Sequence, residues 1–207
     1  MVNAIYGKKI GSTQIFSSTG AAIYVTAIEA EPCMVVQVKQ EATDGYKALK
    51  VGFGSISEKK ATKPVKGVFS KNSLQVKRYV KELRVEEFDK EYKPGDLIDV
   101  QVFNIGDKVK ITGIARGKGF AGVIKRYNFH RGPVSHGSHS IRKTGAVGMC
   151  ATPSKVHKGK KMPGRMGGKR VTNPATEIID IIVEQNLILV KGSVPGSSGN
   201  IVMLKKA

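Results

Sequence analysis

Three groups of residues in this sequence could carry chemistry. Gly117-Lys118-Gly119-Phe120-Ala121-Gly122 is a literal G-x-G-x-x-G after a β-type run, the pattern that brings backbone amides up to a dinucleotide pyrophosphate. That fold also needs an acidic residue about 20 positions further on to hold the ribose. After Asp107 the next acid is Glu177, so the dinucleotide reading fails. The glycines are read instead as letting RNA phosphate approach the backbone. The second group is His130, His136, His139 and His157 with Cys150. As zinc ligands they fall short, because His136-x-x-His139 is not answered by a second compact ligand pair. As a thiol nucleophile Cys150 lacks a nearby acid to orient an imidazole. The histidines are therefore read as hydrogen-bond donors to phosphate or as stacking groups, with no metal and no cofactor expected. The third group runs from Lys158 to Arg170, where Lys158, Lys160, Lys161, Arg165, Lys169 and Arg170 alternate with glycines. Glycine between cations lets the main chain lie close to RNA while side chains reach phosphates on both sides.

All three groups share one segment. The chain has 207 residues with 35 Lys+Arg against 16 Asp+Glu, a net charge of +19. Residues 113–172 hold 14 Lys and Arg, no acid, all four His and 12 of the 24 Gly. The remaining residues carry 21 basic against 16 acidic side chains, a balance of only +5. Such a segment cannot pack alone: its charges repel and its glycines raise the entropy cost of order. It is internal and anchored at both ends, so it reads as an arm that threads into a polyanion. Trp is absent and aromatics make up 6%, which argues against a stacking sheet for single-stranded RNA.

The elements that must hold the arm are short strands. Ala22–Ala30 and Cys33–Gln40 flank Glu31-Pro32, Lys47–Phe53 follows Asp44-Gly45, and Leu97–Phe103 follows Pro94-Gly95. Asp107–Ile114 alternates, Glu177–Glu184 with Leu187–Lys191 reads as a hairpin, and Ile201–Leu204 is a last strand. Strands at this spacing predict a mainly β fold, a small closed barrel with no open edge. Residues 58–81 are expected to be an excursion on the barrel, and Phe120–Tyr127 a helix within the arm. Cys33 and Cys150 are two isolated thiols, which fits a reducing compartment. The N-terminus lacks the order of a secretory signal and no apolar run is long enough to span a membrane. A soluble, intracellular protein without a membrane or small-molecule partner is expected.

Gly7-Lys8-Lys9-Ile10-Gly11 and Gly113-x-x-x-Gly117-Lys118-Gly119-Phe120-x-Gly122-x-x-Lys125-Arg126 resemble the large-subunit ribosomal protein L-three family. So do Gly132-Pro133-x-Ser135-His136-Gly137-Ser138, Lys158-Gly159-Lys160-Lys161-Met162-Pro163-Gly164 and the stretch Asn186–Gly196. The resemblance covers essentially the whole chain, in a bacterial or organellar form. It implies a six-stranded barrel of the translation-protein type, residues 1–116 and 171–207, with an extension at 117–170 that penetrates the large subunit. It implies binding to 23S-type rRNA near its 3′ end early in assembly. The tip, about 142–155, would approach the peptidyl transferase centre without performing the chemistry. Neighbouring proteins of the L-fourteen and L-nineteen types, and a cytoplasmic or organellar ribosome, are implied likewise. Ser12 stands where the family usually has Met, and Met149-Cys150-Ala151 offers no Gln of the kind methylated in many bacterial members.

The rRNA-binding residues expected on the outgoing side of the arm are Arg116, Lys118, Lys125, Arg126, His130 and Arg131. Further along come His136, His139, Arg142 and Lys143, and on the return Lys155, His157, Lys158, Lys160, Lys161, Arg165, Lys169 and Arg170. Gly148, Met149, Cys150 and Ala151 form the uncharged tip. A free nucleic-acid-binding protein is the alternative from another class, and an enzyme with a phosphate-binding glycine loop is a distant third.

Overall fold

Alternation is strongest at the start of the first strand, β1 (Ala4–Phe16), where Ile5, Gly7 and Lys9 are buried while Lys8 and Ile10 are exposed. The computed structural model describes residues 3–88 and 91–207. β2 (Ala22–Glu29) and β3 (Cys33–Lys39) follow, then the single turn α1 (Glu41–Asp44) and β4 (Ala48–Ser55). Next come α2 (Lys63–Ser70), β5 (Lys77–Arg84), the two-residue β6 (Leu97–Ile98) and β7 (Lys108–Ile114). The acid-free segment contributes β8 (Phe120–Ala121), α3 (Val123–Tyr127) and β9 (Gly164–Arg165). β10 (Arg170–Ile182), β11 (Leu187–Lys191) and β12 (Ile201–Lys206) complete the chain.

Six strands close into an antiparallel barrel in the order β1-β12-β7-β10-β11-β2. Period-two alternation decides its filling: Ile5, Ile28, Ile111, Ile178, Ile188 and Leu204 are fully buried. Closure leaves none of these strands with an open edge, as expected. The β10–β7 register shifts between Asn173 and Thr176. Pro174 sits in that interval and has no N–H to give to the ladder. A second sheet, β5-β4-β3-β6, is separate from the barrel. Its inner face, with Val35, Leu49, Val51, Phe53 and Leu83, shares one hydrophobic core with the barrel residues Ile5 and Ile28. Its other face is covered by α2, whose Phe69 packs on Met34 and Val36.

Several expectations need correction. The strands β3, β4 and β6 belong to the second sheet rather than to the barrel. The excursion at 58–81 is a 3-10 turn (Glu58–Lys60), α2 and the first part of β5. β5 is one of the two edge strands of the second sheet, and its cations suit an edge that must not pair with other chains. Leu97–Phe103 is a strand only to Ile98, because the Asp99 carboxylate accepts the Val100 N–H at 2.6 Å and starts a 3-10 turn. Phe120–Tyr127 is not one helix: Phe120 and Ala121 pair with β9, and α3 begins after Gly122. The hairpin exists, but β10 ends at Ile182, and a 3-10 turn with Asn186 at φ 53 leads into β11. β1 carries no expectation from the sequence beyond its glycine-lysine motif.

Lys9 explains that motif. It points into the barrel end and its Nζ donates to the carbonyls of Val194 (2.7 Å) and Gly196 (3.2 Å). Its backbone N–H donates to Asn200 O and its carbonyl accepts from Gly199 N–H. Gly7 is required beside it, since a Cβ there would lie 2.6 Å from Ile28 Cγ2 and 2.9 Å from Glu29 O. Thus the Gly7–Gly11 motif and the loop at 194–200 form one structural unit. Ser12, the departure from the family pattern, is accommodated by a 3.3 Å hydrogen bond with the Thr26 hydroxyl. Replacing Lys9 with Met would strand two carbonyls at little change in volume. The expected cost is about 1–3 kcal/mol, read from the urea midpoint at unchanged slope.

Candidate nucleic-acid interface

Two compact units emerge, Met1–Ile114 with Arg170–Ala207, and Ala115–Lys169. The second contains thirteen Lys and Arg and no acid. It has almost no core of its own, with Ala121 and Val123 its buried apolar residues. Backbone pairing holds its base: Ala115 N–H donates to Lys169 O, Gly168 N–H to Ala115 O, and Lys118 N–H to Met166 O. β8 and β9 extend the ladder through Phe120–Arg165 and Ala121–Gly164. Gly167 is needed here, because its φ is +71 and a Cβ would collide with the Arg116 carbonyl oxygen. Gly117 and Gly122, in contrast, have ordinary φ and nothing within 4 Å of an added Cβ. Internal packing does not demand glycine at either position. Their bare backbone is free for close approach from outside.

Of the eighteen expected RNA-binding side chains, seventeen are exposed. Arg126 is the exception. It lies over Gly164, donates through Nη1 to Met162 O at 2.8 Å, and its guanidinium sits 5.0 Å from the Tyr127 ring centroid. It ties the outgoing and returning chains together. Lys161 approaches the same ring at 5.8 Å. The unit holds no carboxylate of its own, and among the described residues none of its cations forms an ion pair. Among the described residues, no group of three or more His, Cys, Asp or Glu could hold a metal ion. The four histidines are spread along the arm and do not converge.

The G-x-G-x-x-G does not open a phosphate-binding helix. α3 has five residues and follows a two-residue strand. At the tip, Ala146–Cys150 and Ser154–Val156 line a concavity with no charge except Lys155. Cys150 and Ser154 hold left-handed backbone at φ 33 and 56, a conformation that costs non-glycine residues energy. Both thiols are free, Cys33 buried and Cys150 exposed, and burial pushes the Cys33 thiol up to about 11. Arg170, counted with the arm in the sequence, pairs with Ile114 at the start of β10 in the barrel unit. Sequence reasoning missed Lys81 and Lys205, which with Arg170 line a cleft in that same unit. Their only signal was charge on strands that alternate.

A closed barrel bearing an acid-free arm defines a polyanion-binding protein of the RNA-associated class. The model of the family Ribosomal protein L3 matches residues 84–185. The chain is 49% identical over its whole length to the Large ribosomal subunit protein uL3 of Carboxydothermus hydrogenoformans, covering 98% of it. It is 47% identical to the Large ribosomal subunit protein uL3 of Desulfitobacterium hafniense over 97% of this chain and 94% of that protein. The chain belongs to the ribosomal protein L3 family, a family of structural proteins and not of enzymes.

With two buried apolar side chains to offset ~1–2 kcal/mol of backbone entropy per residue, the arm beyond β8 and β9 should be unprotected in the free protein. Amide exchange on the isolated chain is expected to be fast across 122–163 and slow in β1, β7, β11 and β12. Strong protection through 122–163 would contradict this.

Proposed function

We propose that this chain is a structural constituent of the large ribosomal subunit that anchors by its arm in large-subunit rRNA, near the 3′ end, early in assembly. The observation that carries the reading is the arm's thirteen cations without an acid, nearly all of them exposed. Such a surface has high free energy in isolation and gains from counterion release when phosphates replace solvent. The stem, Lys118–Arg131 and Lys155–Arg170, supplies the phosphate contacts. The uncharged tip, Thr144–Thr152, reaches toward the peptidyl transferase centre and takes no part in the chemistry. Its value lies in shape, with small side chains packed on folded RNA, and the left-handed Cys150 and Ser154 favour a fixed loop over a plain connector. The bacterial relatives support a cytoplasmic ribosome. Proteins of the L-fourteen and L-nineteen types are the proposed neighbours.

Stoichiometric, salt-resistant recovery of the chain in the large particle on fractionation is expected; recovery only in free protein–RNA fractions would sink the reading. Affinity for large-subunit rRNA should fall steeply with salt if on the order of 8–12 phosphates are neutralised. Changing Lys160, Lys161 and Arg165 together to Ala should flatten the log–log slope by about 0.7–0.9 per lost phosphate contact and impair incorporation. Bulkier residues at Met149 or Cys150 should leave incorporation nearly intact and alter peptidyl transfer or its inhibition. Poor assembly of tip variants beside normal assembly of stem variants would reverse the assignment.

A further inference from the structure

The barrel unit has a cleft of about 560 Å³ that the arm does not contribute to. That volume lies within the roughly 300–1,000 Å³ range of small-molecule sites. Its floor is the outer face of the barrel. Ile111, Val202 and Leu204 point inward and are buried, so their neighbours Ile114, Ile201 and Met203 face out. Tyr6, Met203 and Thr112 lie side by side across β1, β12 and β7. The opposite wall is β5, an edge of the second sheet, from Lys81 to Arg84. Tyr6 bridges the two, its hydroxyl donating to the Glu82 carbonyl at 2.9 Å.

The charges at this cleft are one-sided. Lys81, Arg170 and Lys205 line it and are exposed, and none of them forms an ion pair among the described residues. The one acid, Glu82, is engaged elsewhere. Its carboxylate takes a 3.0 Å ion pair from Lys39 and a 2.8 Å hydrogen bond from Tyr46. The Lys39 hydrogen bond holds Glu82 below the usual carboxylate range, and that of Tyr46 adds to it. Arg84 is also spent, its guanidinium lying 4.8 Å from the Tyr46 ring centroid. An apolar floor under three free cations suits a ligand with a flat apolar body and an anionic end. A peptide strand added to β5 fits less well, because Tyr6 already occupies one of the carbonyls on that edge.

We propose that this cleft receives one unstacked nucleotide of the bound RNA, with its base against Ile114, Ile201 and Met203 and its phosphate among Lys81, Arg170 and Lys205. The proposal rests on the rRNA-binding reading above but uses a surface of the barrel unit that shares only Arg170 with the stem. An RNA held here is read by shape and by contact with one splayed base, as is usual for single-stranded positions. It gives the barrel a defined place on the RNA instead of a diffuse electrostatic one.

The test places a photo-crosslinking p-benzoylphenylalanine at Met203 in one full-length variant and at Lys160 in another, each incorporated into large subunits. Both should crosslink to rRNA on irradiation, with the Met203 crosslink mapping to a single nucleotide. Crosslinking from Lys160 but only to protein, or to nothing, from Met203 overturns the cleft and leaves the arm's function standing. No RNA crosslink from either position overturns both. A second variant avoids disturbing the floor: Lys81→Glu with Lys205→Glu changes two exposed side chains. The crosslinked nucleotide should then gain about tenfold in chemical reactivity, the loss of roughly one base contact. Unchanged protection of that nucleotide overturns the proposal.

Discussion

The antiparallel ladder between β7 and β10 is the constraint on which the rest depends. Ile114 pairs with Arg170 and Gly113 with Val171, so the 55 residues between them leave and return at neighbouring points of a closed barrel. Closing a loop of that length costs entropy that grows only slowly with its length. The ladder meets that cost with core burial that the arm cannot supply. Val109 and Ile111 on β7 and Ile178 on β10 are fully buried. The arm can therefore be long, cationic and poor in apolar side chains without unfolding its support. A tail of the same composition, held at one end, would have no such fixed stem.

Charge segregation follows from the same division. Acids are kept out of the arm, where they would compete with phosphate for its cations, and within the barrel unit Glu29, Glu41, Asp44, Glu82, Asp107 and Glu177 each meet a lysine. Lys206 meets Asp107 at 2.8 Å, and that hydrogen bond holds the Asp107 carboxyl below its ordinary range. Lys39 is shared between Glu82 and Tyr46. These exposed or half-exposed pairs contribute little stability each. Their consequence is electrostatic: they neutralise part of the barrel unit's acidic charge locally, whereas the arm holds no acid at all.

What was legible in the sequence was whatever depends on local pattern. Val109 and Ile111 alternate with lysines, and Ile188 and Val190 alternate in a run bounded by turns, so their strands were readable to within a residue or two. The arm was readable from an absence of acids alone. The division of strands between barrel and second sheet was not, because it is set by which distant strands pair. β1 pairs with β12, almost 200 positions away, and nothing near Ala4 encodes that. Lys9 misleads for a related reason. A lysine in an alternating strand reads as solvent-facing, and only the carbonyls of Val194 and Gly196 make its burial tolerable. Arg126 misleads in the opposite sense, since a cation in a cationic arm reads as a phosphate ligand while its guanidinium is fastened to Met162 O.

Motif specificity and ligand contact therefore separate in this molecule. Gly7, Lys9, Val194 and Gly196 belong to patterns that place the chain in its family, yet Gly7 is held by Ile28 and Glu29 and Lys9 by the carbonyls of Val194 and Gly196. Gly167 is likewise fixed by the Arg116 carbonyl. Gly117 and Gly122, in the same family pattern, have empty space around them and no backbone strain to explain them. A glycine that internal packing does not require, in a segment without a single acid, leaves its backbone open to close approach from outside the fold. The same reasoning separates Ile114 from the interior. Ile201 and Met203 are partly buried against the shared core, so it is the exposed Ile114, beside Lys81, Arg170 and Lys205, that a flat and anionic ligand would cover.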